Sequence, residues 1–434
     1  MKQPKLPSHR EVQVFIGLIA GILFCLSAFS GPSKSVFSAF YSAGSILRQG
    51  NASKLYEVQE QARVERAELD VTKQTNFLVY VYPPAYTLLF VPLALLPYPT
   101  AYLIWGAMNV LLWVSFQHLL RPYASVPRQP LRYLLLCSAF LPLWVVLVRG
   151  QTTLLLLVTY SLVFVSLKRN QDIKAGVFLG LGLLKFQLVL PFALICLLRG
   201  KWKLIAGFAS AGSVLGALSA LVVGPRGVLA YGRLLINLVK DPSNQSWGNF
   251  NVVWNMPTLK GLFGTLLTGR VASHWIDALV GIISAFLIMF TVWKWRREDQ
   301  RSGGGSLNLM FAAALVVTLV TGTHLYVYDL TLMILAVLLV IGSPQWQVKS
   351  RWRLALTVAI AILYAAPLYV LLGPRHALYL LMPVLVAFAG VAIGLASRSA
   401  FVPGQAEAEP NAGVALGIEQ SHASPSAAGV EAGG

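Results

Sequence analysis

The chain has few charged residues and few cysteines for its length. Of its 434 residues, 12% are charged and 56% are hydrophobic, whereas an ordinary soluble domain has about 25% charged residues. No polar linker interrupts residues 12–398, which excludes a series of separate soluble domains. The three cysteines, Cys25, Cys137 and Cys196, lie inside apolar runs and match no metal-ligand spacing, so we interpret them as packing residues.

Several motifs of soluble enzymes are also missing. The sequence has no glycine-rich phosphate loop followed by Lys-Ser or Lys-Thr, no His-Glu-x-x-His pair and no Gly-x-Ser-x-Gly elbow. Its carboxylates are scattered and form no ligand set, so we expect no metal ion and no other cofactor, and we expect no nucleic-acid partner. The net charge of +18 fits basic cytoplasmic loops, anionic membrane lipids or a phosphate-bearing substrate, and charge alone does not choose among them.

Long apolar runs predict an all-α polytopic membrane protein with about twelve transmembrane helices. Each run is near the ~20 residues that a helix needs to cross a bilayer. Residues 1–11 are predicted as a cytoplasmic N-terminus, 12–398 as the transmembrane domain, and 399–434 as a disordered cytoplasmic tail, because the tail lacks apolar density. The apolar runs are 12–30, 78–97, 99–120, 132–148, 152–167, 174–198, 203–223, 272–293, 306–322, 325–341, 352–372 and 377–396.

Basic loops indicate which segments face the cytoplasm. Segments 294–297 and 346–353 are the clearest cytoplasmic loops by the positive-inside rule. They place 225–274, which contains nearly all of a large loop at 224–271, outside, together with 322–323 and 373–376. The first loop, 31–76, is also outside, because the first span starts in the cytoplasm. Within the first loop, apolar residues recur at near-helical spacing between 55 and 69, which predicts a short amphipathic helix on the outer membrane face.

The middle of the chain does not fit a simple alternation of sides. Segments 121–132 and 168–174 are basic, yet a twelve-span count puts both outside. Splitting the run 174–198 into two half-helices that meet at 185–187 would bring the second segment inside. That change leaves an odd number of crossings unless another run is re-entrant, so the parity stays open.

Two polar interruptions of the apolar runs are candidate functional positions. An ionisable group inside a span costs a few kcal/mol, so each one needs a reason. Lys185 lies about ten residues from either end of its run, so its ammonium faces a cavity, an anion, or backbone carbonyls that are freed near Pro191. Arg149 and Gln151 separate two further runs, either as site residues or as an ordinary short loop.

A third interruption, residues 323–329, combines a histidine, two tyrosines and a carboxylate. His324 and Tyr328 would share a helix face at i, i+4, and Asp329 begins the next apolar run. A single histidine at a membrane interface is usually structural, whereas this combination suits proton transfer or phosphate contact. Tyr82 opens the second span and on its own is an ordinary interfacial aromatic residue.

A series of short motifs follows one order along the chain. The motifs are Phe40-Tyr41-Ser42-Ala43-Gly44, Leu55-Tyr56-Glu57, Tyr82-Pro83-Pro84, Phe90 to Pro97 with Trp105, Arg149-Gly150-Gln151, Ala175-Gly176 with Lys185-Phe186-Gln187-Leu188, Trp254 to Leu262, and His324 to Asp329. In this order they resemble the polyprenyl-phosphate-mannose-dependent glycosyltransferases of the GT-C class, specifically glycosyltransferase family 87. No single motif decides the resemblance.

The resemblance implies a GT-C-like bundle and an inverting hexose transfer, with the active site on the outer face of the cell (plasma or inner) membrane. The donor would be a polyprenyl-phosphate sugar, with mannose as the hexose, and the acceptor an envelope lipid or glycan. The implied catalytic or orienting residues are His324, Asp329 and Glu57, and the implied substrate contacts are Lys185, Gln187, Arg149, Gln151, Tyr82 and Tyr328.

One position departs from the family's pattern. The acidic residue expected just before Phe37, in the place of the base, is Val36, which cannot accept a proton. Either the protein has lost transferase activity and only binds lipid-linked sugar, or the base is Glu57, Asp70, Asp329 or His324. A lipid-linked sugar flippase is a further alternative, which clear inverted repeats would favour, and the sequence shows no clear repeat.

Overall fold

The structure is a computed structural model that describes residues 36–69, 78–123, 130–240, 253–302, 306–348 and 350–397. The predicted first span, 12–30, and the predicted tail, 399–434, lie outside these residues. Regular structure in the described ranges is helical, which confirms the all-α class. The α-helices are α1 Phe37–Arg48, α2 Val58–Leu69, α3 Pro84–Thr87, α4 Tyr98–Leu120, α5 Pro130–Ser138, α6 Leu141–Arg149, α7 Thr153–Lys168, α8 Asp172–Leu181, α9 Leu190–Leu198, α10 Trp202–Lys240, α11 Leu259–Leu267, α12 Ser273–Ser302, α13 Leu307–Thr321, α14 Met333–Ile341, α15 Arg351–Tyr364, α16 Ala366–Leu372 and α17 Met382–Ala396.

Four helical segments among the described residues are long and apolar enough to cross a membrane. They are α4, most of α10 and of α12, and Leu378–Ala396, which contains α17. The number rises to six if each of two bent pairs counts as one span: Asp172–Leu188 with α9, bent by 118°, and α15 with α16, bent by 59°. The chain is thus a multi-pass membrane protein by the length and composition of its helices, whereas the prediction of about twelve spans is not confirmed.

The structure has fewer membrane-capable helices than the sequence predicts because several apolar runs form short helices. α13 has 15 residues, fewer than the ~20 needed to span a bilayer, and its side chains are almost all buried in the protein. The run 78–97 contains four prolines and forms only α3 and a single turn at Leu93–Leu95. Hydropathy does not distinguish a helix that faces lipid from one that faces the protein core.

Helices α8 and α10 pack with their backbones in contact. A Cβ atom at Gly176 would lie 1.9 Å from the carbonyl oxygen of Leu204, and one at Gly207 would lie 2.2 Å from that of Ile173. Only glycine permits such an approach at either position. The pair therefore holds the polypeptide rigidly on the N-terminal side of the bend near residue 188.

Two hydrophobic clusters organise the interior. The larger contains α7, α9, α13 and α14, and the smaller contains α1 and aromatic side chains that include Phe40, Phe90 and Trp105. Tyr328 packs against the larger cluster and Tyr82 against the smaller. Because Tyr82 and Tyr328 interact electrostatically, the polar segments that carry them meet where the two clusters adjoin.

Helix α2 occupies the segment in which an amphipathic helix was predicted. Its buried side chains are Gln61, Val64 and Glu65, at i, i+3 and i+4, and the helix packs against α1. Two of the three buried side chains are therefore polar. Whether α2 also lies on an outer membrane surface stays a prediction.

Candidate functional site

The helix that carries Lys185 breaks at that residue, which is where one interpretation of the sequence divides the run 174–198. α8 ends at Leu181, a 3-10 segment follows at Gly182–Leu188, and Lys185 has the non-helical angles φ −121° and ψ 69°. Helix α9 then begins with Pro191 in its first turn, a position that needs no backbone donor. The break turns the Lys185 side chain into the protein, where it is 2% exposed.

Lys185 forms a buried ion pair with Asp329. The Lys185 ammonium donates to Asp329 Oδ1 at 2.5 Å and to Thr153 Oγ1 at 2.8 Å, and the Thr153 hydroxyl donates to Asp329 Oδ1 at 2.9 Å. Asp329 Oδ2 also accepts from the backbone N–H of Tyr326 at 3.3 Å. A lysine and a carboxylate in an apolar interior are stable only when paired in this way, so Asp329 balances the charge of Lys185.

The turn after α6 is fixed by contacts with α1 and α4. Gly150 has φ +62°, and a Cβ atom there would lie 2.8 Å from Phe37 Cβ, so glycine is needed for both reasons. Trp105 Nε1 donates to the Gly150 carbonyl at 2.9 Å, and the Val36 N–H donates to the Arg149 carbonyl at 2.9 Å. The structure therefore explains the Arg-Gly-Gln motif as a rigid turn.

Gln151, the last residue of this turn, is 1% exposed. Neither its amide oxygen nor its amide nitrogen has a hydrogen-bond partner among the residues that the structure describes. Buried polar side chains are almost always hydrogen-bonded, and an unmet one costs ~1–3 kcal/mol. Thr153, two residues further on, belongs to the Lys185 network, and the buried amide of Gln151 has the hydrogen-bonding capacity that a bound ligand would satisfy.

Two tyrosines and an arginine complete the cluster. Tyr82 interacts with Thr152 and with the Asp329 carboxylate. Tyr328 interacts with Asp329 and with Arg149, and Lys185 Nζ lies 5.0 Å from the centre of its ring. We call the set Tyr82, Arg149, Gln151, Thr153, Lys185, Tyr328 and Asp329 the buried polar cluster.

His324 does not share a helix face with Tyr328, and this part of the prediction was wrong. Helix α13 ends at Thr321 and the next 3-10 segment begins only at Val327, because Gly322 is extended and ends the helix. The His324 ring instead contacts Tyr326, with 4.9 Å between ring centres. Gln187 Nε2 donates to the His324 carbonyl over a long 3.5 Å, so Gln187 is placed beside the histidine.

Burial and neighbouring cations keep His324 neutral. Burial, then the charge of Lys185 and then that of Lys260, lower the pKa of His324 to about 3. Near neutral pH the ring is therefore a hydrogen-bonding group and a weak base. Lys260, in α11, was not among the predicted site residues, and it also forms an ion pair with Asp277 at 3.4 Å.

Sequence reasoning missed Thr153 as well as Lys260. Thr153 opens an apolar helix, where a threonine is unremarkable, so no sequence signal marks it. Lys260 lies within the Trp254 to Leu262 motif, so a sequence signal that could have found it was present. Glu57 is exposed before α2, Asp70 lies outside the described residues, and no group of three or more potential metal ligands occurs in the described ranges.

Comparison with known proteins gives one match. The model of glycosyltransferase family 87 matches residues 80–322, which is more than half of the chain. The matched segment includes every member of the buried polar cluster except Tyr328 and Asp329. No curated protein matches, and no solved structure matches.

Proposed function

The chain belongs to glycosyltransferase family 87, and from this premise we propose that it transfers a hexose, mannose, from a polyprenyl phosphate to an envelope lipid or glycan. The transfer takes place at the outer face of the cell membrane and inverts the anomeric centre. The membrane-capable helices support a lipid-linked donor, because such a substrate reaches its site from the bilayer.

The observation that carries the proposal is the buried polar cluster. Arg149 and Lys185 contribute two positive charges and Asp329 contributes one negative charge, so the three leave one positive charge in excess. A sugar on a polyprenyl phosphate is a phosphodiester with one negative charge. The excess charge and the unmet amide of Gln151 together suit a ligand that is both anionic and rich in hydrogen-bonding groups.

Each side chain has a role in the proposed reaction. The acceptor oxygen attacks the anomeric carbon, and the bond from that carbon to the phosphate oxygen breaks, so negative charge grows on the leaving phosphate. Arg149 and Gln151 hold that phosphate, and a fixed donor aimed at growing charge lowers the barrier. Lys185 is held by Asp329 and Thr153, so its positive charge stabilises the transition state from a fixed position. Tyr82, Tyr328, Gln187 and neutral His324 orient the sugar.

A transfer assay with purified protein tests the proposal. Polyprenyl-phosphate-mannose labelled in the sugar is incubated with the protein and a membrane extract as the source of acceptor. We expect labelled product from the wild type. We expect Arg149→Gln to lower the rate by about 10- to 150-fold, since a hydrogen bond to a charged group contributes ~1.5–3 kcal/mol.

The matched control is Arg375→Gln, which removes an exposed arginine from another loop, and we expect it to keep the wild-type rate. Equal rates in both variants would contradict the assignment of the site. No product from the wild type, together with donor binding that Arg149→Gln weakens, would contradict the transferase and support a lipid-binding relative without activity. This second outcome is tested because Val36 stands where the family has an acidic residue.

A further inference from the structure

Glu65 is a buried carboxylate that lies outside the buried polar cluster. Glu65 lies in the middle of α2 and is 4% exposed. The Ser38 hydroxyl of α1 and the backbone N–H of Leu78 lie near it, but neither carboxylate oxygen has a hydrogen-bond partner among the described residues. Ser42 and Ser45, also buried, follow Ser38 on the same face of α1. This surface is therefore polar, although it lies within the smaller, largely aromatic cluster.

Glu65 differs from the other carboxylates of the described residues because it has no ion-pair partner among them. Apart from Glu57, which is exposed, every other described carboxylate has a lysine or arginine nitrogen within 4 Å. The pairs are Glu60 with Arg63, Glu68 with Arg48, Asp172 with Lys201, Asp277 with Lys260, Glu298 with Arg301, Asp299 with Arg199 and Asp329 with Lys185.

The surroundings of Glu65 favour its protonated form. Burial raises the pKa of Glu65 to about 7, against the smaller opposing effects of Ser38, the Leu78 N–H and Arg66. Arg66 is on the same helix, and α1 presents only hydroxyl groups at this point. Asp329 instead already accepts hydrogen bonds on Oδ1 from the Lys185 ammonium and the Thr153 hydroxyl.

Glu65 lies between the two segments that lead into the buried polar cluster. Ser38 is two residues from Val36, whose N–H is bonded to Arg149. On the other side, Gln61, one turn before Glu65, accepts from the Tyr80 N–H at 2.7 Å. Tyr80 is two residues from Tyr82, so α2 is fixed directly to the segment that carries a member of the cluster.

We propose that Glu65 is the general base that deprotonates the acceptor hydroxyl. The proton passes to a carboxylate oxygen of Glu65 as the acceptor oxygen bonds to the anomeric carbon, and the phosphate leaves with the electron pair of the bond that breaks. This inference rests on the proposed function. Inversion then requires the acceptor, beside Glu65, and the leaving phosphate to lie on opposite faces of the sugar.

The test compares Glu65→Gln with Glu60→Gln, which changes a carboxylate of the same helix that is paired with Arg63, in the transfer assay across pH 5.5 to 9. Glutamine keeps the volume of the side chain and removes its basicity. A positioned base contributes about 10²–10⁴-fold, so we expect Glu65→Gln to lower kcat at least 100-fold with little change in the KM for the donor. We expect wild type and Glu60→Gln to share a rate that rises up to about pH 7 and then levels, and Glu65→Asp to retain part of that rise.

Two results would overturn the inference. If Glu65→Gln transfers sugar at the wild-type rate, or is slower but keeps the same rise with pH, Glu65 is not the base, and the proposed transferase stands. If the wild type itself transfers no sugar from the donor, the proposed function fails and the role of Glu65 fails with it.

Discussion

Replacing Gln151 with leucine should separate stability from substrate binding. The side chain is buried, and its amide has no partner among the described residues. Removing an unmet polar group from the interior should raise the free energy of unfolding by ~1–3 kcal/mol. The same change removes hydrogen bonds to the bound phosphate or sugar, worth ~1.5–3 kcal/mol when the partner is charged, so the donor Kd should rise about 10- to 150-fold.

Gln61→Leu is the matched control because it makes the same substitution at a buried glutamine whose amide is hydrogen-bonded. Gln61 is as buried as Gln151, but its amide donates to the Leu55 carbonyl at 2.7 Å and accepts from the Tyr80 N–H at 2.7 Å. We expect Gln61→Leu to lower stability by ~1–3 kcal/mol per group left unmet. Stability is measured by thermal unfolding in detergent, and donor affinity by titration of the purified protein.

Either the stability measurement or the affinity measurement can contradict the assignment of Gln151. If Gln151→Leu loses as much stability as Gln61→Leu, the Gln151 amide already has protein partners. If Gln151→Leu binds the donor as tightly as the wild type, the amide does not contact the substrate.

Three further substitutions test the geometry through thermal or chemical unfolding. Asp329→Asn leaves the ammonium of Lys185 buried without its counter-ion, so it should lower stability by ~3–5 kcal/mol. Adding Lys185→Met should recover most of this loss. No recovery would show that loss of the ion pair is not the cause. Gly150→Ala should cost ~1–3 kcal/mol, because φ is +62° and Phe37 is too close, whereas Gly106→Ala, with open space around it, should cost nothing. The pKa of Glu65 is raised from 4.5 to about 7, so the wild type should lose ~3 kcal/mol of stability as pH rises from about 4 to 8. Glu65→Gln should lack this loss, and an identical pH dependence in both proteins would show that Glu65 does not cause it.

The candidate site was partly predictable because polar residues in apolar runs are costly. Lys185, Arg149, Gln151 and Asp329 stand out in the sequence for that reason, and the structure brings all four into one cluster. Their pairing was not predictable, since Lys185 and Asp329 are 144 residues apart. Nothing in the local sequence shows that the lysine is balanced by that carboxylate.

Glu65 was missed because its helix was interpreted from its apolar residues alone. The spacing between residues 55 and 69 predicts a helix correctly, but the buried face of α2 also contains Gln61 and Glu65. A polar residue on a helix is usually exposed, so burial of this face depends on packing with α1. The predicted number of spans is not confirmed for a related reason, because α13 is as apolar as a span but packs in the core.

Photo-crosslinking with a polyprenyl-phosphate sugar tests most directly whether the buried polar cluster is the donor site. The donor carries a photoreactive group next to its phosphate, and the labelled peptides are identified by mass spectrometry with and without excess unlabelled donor. We expect competed label on the peptide that contains Arg149, Gln151 and Thr153, and its loss in Arg149→Gln. Competed label confined to peptides outside the cluster, and unchanged in Arg149→Gln, would contradict the account.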